Sequence, residues 1–357
     1  MSPKINKKRK VFVGLSGGVD SSVAAFLLKK NGYDVTGIHI RGYNLDGCAD
    51  DDAIMARRAA ERLGIPFYIW NMEREYKESV VDYMISSYKK GLTPNPDVVC
   101  NKKIKFGLFF KKAIKLGADF IATGHYAFLD GKIPAVYAAK DGTKDQTYFL
   151  WTLNKNILKK TLFPLGSLLK SDVRKIAKRA GLPNALRKDS QGICFLGKLK
   201  MPDFLARYIK ENPGPILTPD GKRIGTHKGL NFYTLGQRHL GIKGLGGDEP
   251  LYVAQKNKRA NSLVVAPVNH PLLFSKKVFL DDVNLISEKA NKKDDIFVRV
   301  RYRQPLSRGK MIMEGERKGI ILFEKAILFA TPGQSAVFYS AEGEMLGGGI
   351  ITAANLI

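Results

Sequence analysis

The stretch that decides the fold is Leu15-Ser16-Gly17-Gly18-Val19-Asp20-Ser21-Ser22, which ends the apolar run 11–15 and opens a segment of helical periodicity over 21–30. Glycines let a backbone approach an anion closely, the first turn of a helix presents N–H groups, and serine hydroxyls add donors. The stretch therefore predicts a phosphate cradle between a strand and a helix. It lacks the Gly-Lys-Ser/Thr ending of a Walker A loop. A plain glycine–serine turn is the alternative interpretation.

Short apolar runs and amphipathic stretches alternate on both sides of this loop. Buried strands are predicted at 11–15, 35–40, 67–70 and 120–123, and helices at 21–30, 51–63, 76–89 and 101–116. Such alternation is typical of a parallel sheet with helices on both faces. We therefore expect an α/β nucleotide-binding domain.

The remainder of the chain divides into two further parts. A helix is predicted from Ser171 to about residue 180, and a short helix at 203–210 runs into Asn212-Pro213-Gly214-Pro215, a domain boundary. Periodicity is weak up to residue 271, and from 276 it is close to two, as in a small antiparallel barrel or sandwich. The expected domains are a catalytic nucleotide-binding domain at 1–202, a small central domain at 203–272 and a C-terminal antiparallel β-barrel at 273–357.

Charge and composition limit the class of protein. The 357 residues include 59 Lys and Arg against 33 Asp and Glu, a net charge of +26, which predicts a polyanionic partner. With 44% hydrophobic and 26% charged residues, disordered and collagen-like proteins are excluded. No apolar run reaches the ~18 residues of a membrane span, and no export signal is recognised. We expect a cytoplasmic protein without a membrane partner.

The three cysteines, Cys48, Cys100 and Cys194, contain no CxxC pair, which argues against a disulfide scaffold, a zinc site or an iron–sulfur cluster. Cys100 follows two prolines in Thr93-Pro94-Asn95-Pro96-Asp97-Val98-Val99-Cys100-Asn101. A helix predicted to begin at Asn101 would place this thiol at a helix N-terminus among lysines, and both features lower a thiol pKa. A buried structural cysteine is the alternative. Cys194 lies in a glycine-containing loop, and Cys48 is interpreted as non-catalytic.

These motifs, taken in order, resemble the bacterial tRNA-specific 2-thiouridylase (MnmA) family of PP-loop ATP pyrophosphatases. The resemblance spans nearly the whole chain. Its motifs are Ser16–Ser22, Thr93–Asn101, Ala122–Tyr126, Lys144–Leu150, Asp189–Phe195, Thr234–Arg238, Arg299–Gln304 and Thr331–Gln334.

The resemblance implies ATP-dependent 2-thiolation of the wobble uridine, U34, of tRNA. ATP, with Mg²⁺, would adenylate the C2 oxygen and release pyrophosphate, and sulfur from a cysteine persulfide would then displace AMP. The implied partners are tRNAs for Lys, Glu and Gln and a cysteine desulfurase or sulfur-relay protein, with no role for DNA.

The resemblance also implies roles for individual residues. Cys100 would be the nucleophile, Cys194 the persulfide carrier able to form a disulfide with it, and Asp97 the acid/base; Asp20 would help hold Mg²⁺. The implied ATP-binding residues are Gly14, Leu15, Ser16, Gly17, Gly18, Val19, Asp20 and Ser21, with Ile40 and Gly124 at the adenine end. Ile40 stands where many family members have methionine. The implied tRNA-binding residues are Asn95, Pro96, Asp97, His125, Lys144, Asp145, Gln146, Arg301, Tyr302 and Gln334.

Arginines alternate with apolar residues over 298–303, and this predicts a strand that carries Arg299, Arg301 and Arg303 on one cationic face. An ordinary solvated face is the alternative. Two other functions remain open from the residues: a PP-loop ligase that adenylates its substrate and accepts an amine, and a non-enzymatic basic RNA-binding protein.

Overall fold

The structure, a computed structural model, describes residues 8–43, 45, 48–131, 134–189, 192, 196–197, 199–240, 250–287 and 295–355, with 48 and 49 described by backbone alone. Their contacts divide the chain into two compact units. The first consists of Met1–Val81, Asp97–Lys198 and Gly343–Met345; the second consists of Asp82–Pro96, Leu199–Glu342 and Leu346–Ile357.

A five-stranded parallel sheet forms the centre of the first unit. Its strands are β1 (Lys10–Gly14), β2 (Asp34–Arg41), β3 (Phe67–Asn71), β4 (Phe120–Ala122) and β7 (Thr161–Leu162), in the order β3-β2-β1-β4-β7. Strand β5 (Phe128–Asp130) pairs with β6 (Ala135–Tyr137) as a separate hairpin. Val11 of β1 aligns with Val35 on one side and Phe120 on the other. Because β1 is paired on both edges and covered on both faces, Val11 and Val13 are completely buried.

The helices of this unit pack around the sheet. They are α1 (Val19–Lys30), α2 (Cys48–Leu63), α3 (Glu73–Tyr76), α5 (Pro96–Cys100), α6 (Phe110–Lys115), α7 (Lys155–Leu158) and α8 (Lys170–Arg179). Between α5 and α6 the chain continues as a π-helical stretch, Asn101–Phe109. The helical path therefore runs unbroken from 96 to 115, because apolar residues along it, including Ile104 and Phe106, are buried in the core.

The second unit contains a four-stranded sheet and a closed six-stranded barrel. Helices α4 (Asp82–Lys89) and α9 (Met201–Ala206) accompany strands β8 (Gly214–Leu217), β9 (Arg223–His227), β10 (Leu251–Asn257) and β11 (Ser262–Pro267), ordered β10-β11-β8-β9. The barrel, ordered β12-β15-β14-β13-β16-β17, consists of β12 (Phe274–Leu285), β13 (Ile296–Arg299), β14 (Ser307–Met313), β15 (Gly319–Leu328), β16 (Ser335–Tyr339) and β17 (Met345–Asn355). Among the described residues, no helix is both long and apolar enough to cross a membrane.

The predicted fold class is confirmed: a parallel α/β domain, a small central domain and an antiparallel barrel. The predicted arginine ladder is wrong. Strand β13 ends at Arg299, residues 300–303 form a bend and a turn, and Arg303 has a φ of +64°. Alternation of side chains across a strand therefore stops before Arg301, and the three arginines share no strand face.

Candidate functional site

The predicted phosphate cradle lies at the carboxyl end of β1, where Gly14 ends the strand and α1 begins at Val19. Gly18 is the N-cap and supplies no side-chain acceptor, so the first N–H groups of α1 are left for another acceptor. Such a helix start attracts anions. Gly17 has a φ of +81°, and a Cβ there would lie 2.4 Å from the Asp52 carbonyl oxygen. Only glycine fits this position.

Serine hydroxyls close the loop on itself. Ser21 Oγ accepts from the Ser16 N–H at 3.2 Å and donates to the Gly18 carbonyl at 3.1 Å. Asn184 Nδ2 donates to the Gly17 carbonyl at 2.9 Å and to Ser22 Oγ at 2.8 Å. The hydroxyls therefore fix the shape of the cradle, and the backbone N–H groups are its main donors for an anion.

Two further residues with a predicted ATP role lie at the same edge of the sheet. A Cβ at Gly124, two residues after β4, would lie 2.6 Å from the Ser21 nitrogen, so β4 approaches the start of α1 closely. Ile40 is near the carboxyl end of β2, beside β1. Their common location agrees with the predicted adenine pocket, which stays a prediction.

A cluster of charged side chains borders the cradle and is centred on Lys170. Its Nζ lies 2.6 and 2.7 Å from the two carboxylate oxygens of Asp20 and 2.9 Å from Asp189 Oδ1. The Tyr126 hydroxyl donates to Asp20 at 2.8 Å. Asp189 also pairs with Lys144 at 2.7 Å and with Arg174 at 2.5 Å. The Lys170 side chain is only 14% exposed, so these pairs are partly shielded from solvent.

Asp20 is the residue predicted to help hold Mg²⁺. Mg²⁺ commonly takes one or two protein carboxylates and fills its remaining positions with phosphate oxygens and water. Asp20 offers one carboxylate, but both of its oxygens contact Lys170. Within the described part of the chain, no group of three or more His, Cys, Asp or Glu side chains could hold a metal ion. The residues as placed therefore do not form a metal site of their own, and the role of Asp20 toward Mg²⁺ stays a prediction.

The positively charged side chains around Asp189 make the stability of the fold dependent on pH in the acidic range. Burial would raise the pKa of this carboxyl, but hydrogen bonds from Lys144 and Lys170 outweigh burial and lower the pKa to about 2. Because the folded pKa lies below the unfolded value of about 3.9, the stabilisation is complete above that value and is lost as the pH falls toward 2. We expect a loss on the order of 1 kcal/mol, smaller than the bare shift because solvent screens the pair. Chemical denaturation between pH 5 and 2 measures this loss of free energy of unfolding. In Asp189→Asn the free energy of unfolding should depend less steeply on pH. An equally steep dependence in the variant would contradict the assignment.

Cys100 is buried, with 5% of its surface exposed, and ends α5. The predicted position at a helix N-terminus is wrong: the helical path begins at Pro96 and continues through Asn101–Phe109, because burial of the following apolar residues extends it. One of the two features predicted to lower the thiol pKa is therefore absent. Asn101 instead anchors this turn, since its Nδ2 donates to the Phe149 carbonyl at 3.0 Å.

Asp97, the predicted acid/base, and His125, a predicted tRNA contact, both have shifted pKa values. Burial raises the pKa of Asp97, and the opposing charge of Lys105 acts to lower it. A raised carboxyl pKa suits proton transfer. Burial, with the charge of Lys105, holds the pKa of His125 well below its usual value, and its Nδ1 lies 2.7 Å from Thr123 Oγ1. His125 is thus neutral and offers no cationic charge to a phosphate.

The predicted tRNA residues Lys144, Asp145 and Gln146 are adjacent to the cradle. Lys144 pairs with Asp189. Asp145 is buried, and its carboxylate accepts from Thr147 Oγ1 at 2.9 Å. Gln146 Oε1 accepts from the Tyr126 N–H at 3.0 Å. Their side chains organise the backbone here, and direct contact with tRNA stays a prediction.

The second unit gathers four motifs that are far apart in sequence. Gln334 Nε2 donates to the carbonyls of Thr93 and Pro94 at 3.3 Å. Thr93 Oγ1 donates to Thr234 Oγ1 at 3.3 Å. Arg301 donates to Thr331 Oγ1 at 3.0 Å and also to the Leu235 carbonyl. Tyr302 follows Arg301, and the Arg303 guanidinium lies 5.2 Å from the Tyr302 ring centroid. Residues 93–95, 234–235, 301–302 and 331–334 thus form one cluster, which we call the proline-loop cluster.

Gly333 lies directly against the backbone of Thr93 in the proline-loop cluster. Its φ is +93°, and a Cβ there would lie 2.8–2.9 Å from backbone atoms of Thr93, which cannot swing away. We expect Gly333→Ala to lower the free energy of unfolding by about 2–4 kcal/mol, through backbone strain and displacement of the proline loop.

The matched control is Gly221→Ala, because Gly221 has a similar φ of +89° but open space around it. This variant should lower the free energy of unfolding only by the backbone strain, on the order of 1 kcal/mol. Equal losses in the two variants, measured by denaturant unfolding, would show that the contact with Thr93 is unimportant.

Cys194 and its neighbours 190, 191, 193 and 195 lie outside the described residues, as does the side chain of Cys48. The proposed pairing of Cys100 with Cys194 therefore stays a prediction.

Sequence reasoning missed the residues that fasten the 170–189 segment to the cradle. Besides Lys170 and Asn184, Arg187 pairs with Asp52 at 2.5 Å and donates to the Gly17 carbonyl at 3.3 Å. Arg174 holds the segment itself together, through Asp189 and the Ala185 carbonyl. In the sequence, the only indication of these contacts was the predicted basic helix that precedes the Asp189 motif. The predicted start of this helix, Ser171, is also displaced by one residue: α8 begins at Lys170, whose N–H donates to Asp141 at 2.9 Å.

Known proteins match the chain over almost all of its length. Family profiles described as a tRNA methyl transferase HUP domain, a tRNA methyl transferase PRC-barrel domain and an aminomethyltransferase β-barrel domain match residues 9–198, 202–267 and 275–351. Among solved structures, a 4-thiouridine synthetase–RNA complex with bound ATP gives a TM-score of only 0.38 at 19% identity, over 53% of this chain and 46% of that one.

Full-length relatives are more informative. The chain is 46% identical to tRNA-specific 2-thiouridylase MnmA 1 of Geobacillus kaustophilus, with 93% of each chain covered. It is 45% identical to tRNA-specific 2-thiouridylase MnmA of Bacillus subtilis, over 96% of this chain and 94% of that one. It is also 45% identical to the protein of that name from Methylobacillus flagellatus, over 97% and 99%. The chain therefore belongs to the tRNA-specific 2-thiouridylase family.

Proposed function

We propose that the protein replaces the C2 oxygen of the wobble uridine of tRNA with sulfur in an ATP-dependent reaction. The observation that carries the proposal is similarity to 2-thiouridylases over nearly the whole chain. The local geometry supports it, because the glycine cradle and uncapped start of α1 provide donors for the phosphates of ATP.

The first chemical step activates the base. The uracil C2 oxygen attacks the α-phosphorus of ATP, the bond to the β-phosphate oxygen breaks, and pyrophosphate leaves. Residues Gly14–Ser21 would bind the phosphates, with Ile40 and Gly124 at the adenine. Mg²⁺ would accompany the nucleotide and neutralise its charge. Asp97, whose pKa is raised by burial, would exchange a proton with the base.

The second step transfers sulfur. The Cys100 thiolate attacks the Cys194 persulfide at the sulfur bonded to Cβ, and a Cys100–Cys194 disulfide forms as hydrosulfide leaves. Hydrosulfide then adds to C2 and displaces AMP, which departs with the original oxygen. The sulfane sulfur is reduced by two electrons as the thiol pair is oxidised, so an external reductant must restore the enzyme. A cysteine desulfurase or sulfur-relay protein would reload Cys194.

Recognition of tRNA would involve both units. In the first unit, the base and anticodon loop would be surrounded by Asp97, His125, Lys144, Asp145 and Gln146. In the second unit, the proposed contacts belong to the proline-loop cluster or its immediate neighbours: Asn95, Pro96, Arg301, Tyr302 and Gln334. We also propose a division into a catalytic domain at 1–202, a tRNA-contacting domain at 203–272 and a barrel at 273–357, with tRNAs for Lys, Glu and Gln as substrates.

The nucleotide product tests the first step. Because the loop has no Walker lysine and the proposed attack is on the α-phosphorus, incubation with ATP, tRNA and a persulfide donor should give AMP and pyrophosphate. Chromatography of the spent nucleotide measures this, and omission of tRNA is the control. ADP and inorganic phosphate as products would contradict the proposed chemistry.

A further inference from the structure

A cavity of about 230 Å³ in the second unit lies apart from the residues discussed so far. Its walls come from the end of α4, the chain after α9, the turn Leu230–Phe232, and β10 with the turn that follows it. Lysines supply five of its lining residues: Lys89, Lys90, Lys210, Lys256 and Lys258. Positive charge from three of these four segments therefore defines the cavity, and we call it the lysine cavity.

The positive charge of the lysine cavity is not balanced by nearby carboxylates. None of its described lining residues is acidic, and over the described ranges none of the five lysines forms an ion pair. Glu211, which follows Lys210 in sequence, pairs instead with Lys228 at 3.7 Å. Like charges held close together repel, so this arrangement is costly until an anion enters.

Hydrogen bonds hold two of the lysines in place. Lys256 Nζ donates to the Gly91 carbonyl at 3.3 Å, and Lys258 Nζ donates to the Lys90 carbonyl at 2.7 Å. An ammonium has three N–H donors, so each keeps two for a ligand. Burial, with the neighbouring charge of Lys258, lowers the pKa of Lys256 to about 8, as expected where cations lack a counter-charge.

Size and composition indicate which anion fits. Pockets for drug-sized ligands occupy roughly 300–1,000 Å³, so this cavity suits a single phosphate group better than a whole nucleotide. Lysine ammonium groups are compact point charges that bind phosphate well, and Asn231 in the wall adds an amide. Lys89, Lys90, Lys210 and Lys258 are exposed, so a phosphate attached to a longer chain can reach them.

We propose that the lysine cavity binds one backbone phosphate of the tRNA, and that this contact is independent of the base sequence. The assignment rests on the proposed function, which supplies tRNA as the polyanion. It is independent of the chemistry at Cys100 and of the nucleotide cradle.

The test combines three exposed lysines, because substitution of Lys256 or Lys258 would also disturb the turn that they hold. The triple variant Lys89→Gln, Lys90→Gln, Lys210→Gln should weaken tRNA binding about tenfold or more at low salt. If the three lysines share one phosphate, the slope of log K against log salt should fall by about 0.7–0.9, the value for a single contact. The loss should be the same for tRNA with U34 and for the same tRNA with C34, and the Lys→Arg triple should bind like the wild type.

The matched control is Lys310→Gln, Lys318→Gln, Lys325→Gln, which removes the same charge from exposed positions of the barrel. It should leave the Kd within about twofold. Wild-type Kd and salt slope in the folded cavity variant would overturn the proposal. The proposal would also be overturned if the cavity variant bound tRNA like the wild type but no longer bound inorganic phosphate in calorimetry. That result would assign the cavity to a free phosphate. Failure of the wild-type protein to bind tRNA would contradict the proposed function itself.

Discussion

Cys100→Ser is expected to lower multiple-turnover thiolation of tRNA on the order of 10³-fold or more, as removal of an attacking nucleophile does elsewhere. Serine cannot reduce the persulfide, because its hydroxyl is neither thiolate-like in pKa nor able to form a disulfide. Release of pyrophosphate precedes sulfur transfer, so the variant should still release some pyrophosphate when tRNA is present, while AMP stays on the adenylated base. Quantifying 2-thiouridine and pyrophosphate in the same reaction separates the two steps.

The controls address burial and chemistry separately. Cys100 is buried, so melting of the serine variant and of Cys100→Ala should be compared with the wild type to verify folding. Cys48→Ser should retain full activity, and Cys194→Ser should lose thiolation as Cys100→Ser does. Wild-type turnover in a folded Cys100 variant would exclude the paired-thiol mechanism.

Lys170→Met is expected to lower tRNA-dependent AMP formation by about 10²–10³-fold, the usual cost of losing one preorganised charge in an active site. Without this ammonium, the carboxylates of Asp20 and Asp189 lose the cation that they share at 2.6 and 2.9 Å beside the cradle. Lys170 acts as a positioning residue through Asp20, so the loss should fall mainly on kcat, with a smaller change in the KM for ATP. Steady-state kinetics at varied ATP measures both.

Lys175→Met is the matched control, because Lys175 is on the same helix but is 67% exposed and pairs only with Asp172 in the described structure. It should have wild-type kinetics. Lys170→Arg should recover part of the activity, since the charge is kept while the geometry differs. Wild-type kinetics in both methionine variants would show that Lys170 has no positioning role in this reaction.

The fold was predictable because its signals are local. The 3.6-residue and two-residue periods identify helices and strands one segment at a time, and the parallel sheet and barrel follow from their order. Helix α1 begins within two residues of its expected start, since the glycine loop before it is an unambiguous boundary. The helical path through Cys100 was misjudged because burial of Ile104 and Phe106, a tertiary effect, extends the helix across the expected break.

The candidate site was predictable only in part. The cradle is one continuous stretch, so its geometry could be anticipated from the glycines and serines themselves. Lys170 reaches Asp20 across 150 positions of sequence, and no local pattern marks such a contact. The prediction of an arginine ladder was wrong although a local pattern was present. Alternation in the sequence predicts a strand face only while the strand lasts, and β13 ends at Arg299.

The mass of the nucleosides released from tRNA tests the central claim most directly. Purified protein would be incubated with ATP, Mg²⁺, a persulfide donor and an unmodified tRNA carrying U34, and the digested nucleosides would then be measured. The proposed function predicts that uridine at the wobble position is converted to 2-thiouridine, only when ATP is present and not in a tRNA carrying C34. Unchanged uridine, or a uridine that gains a methyl group or an amine instead of sulfur, would contradict it.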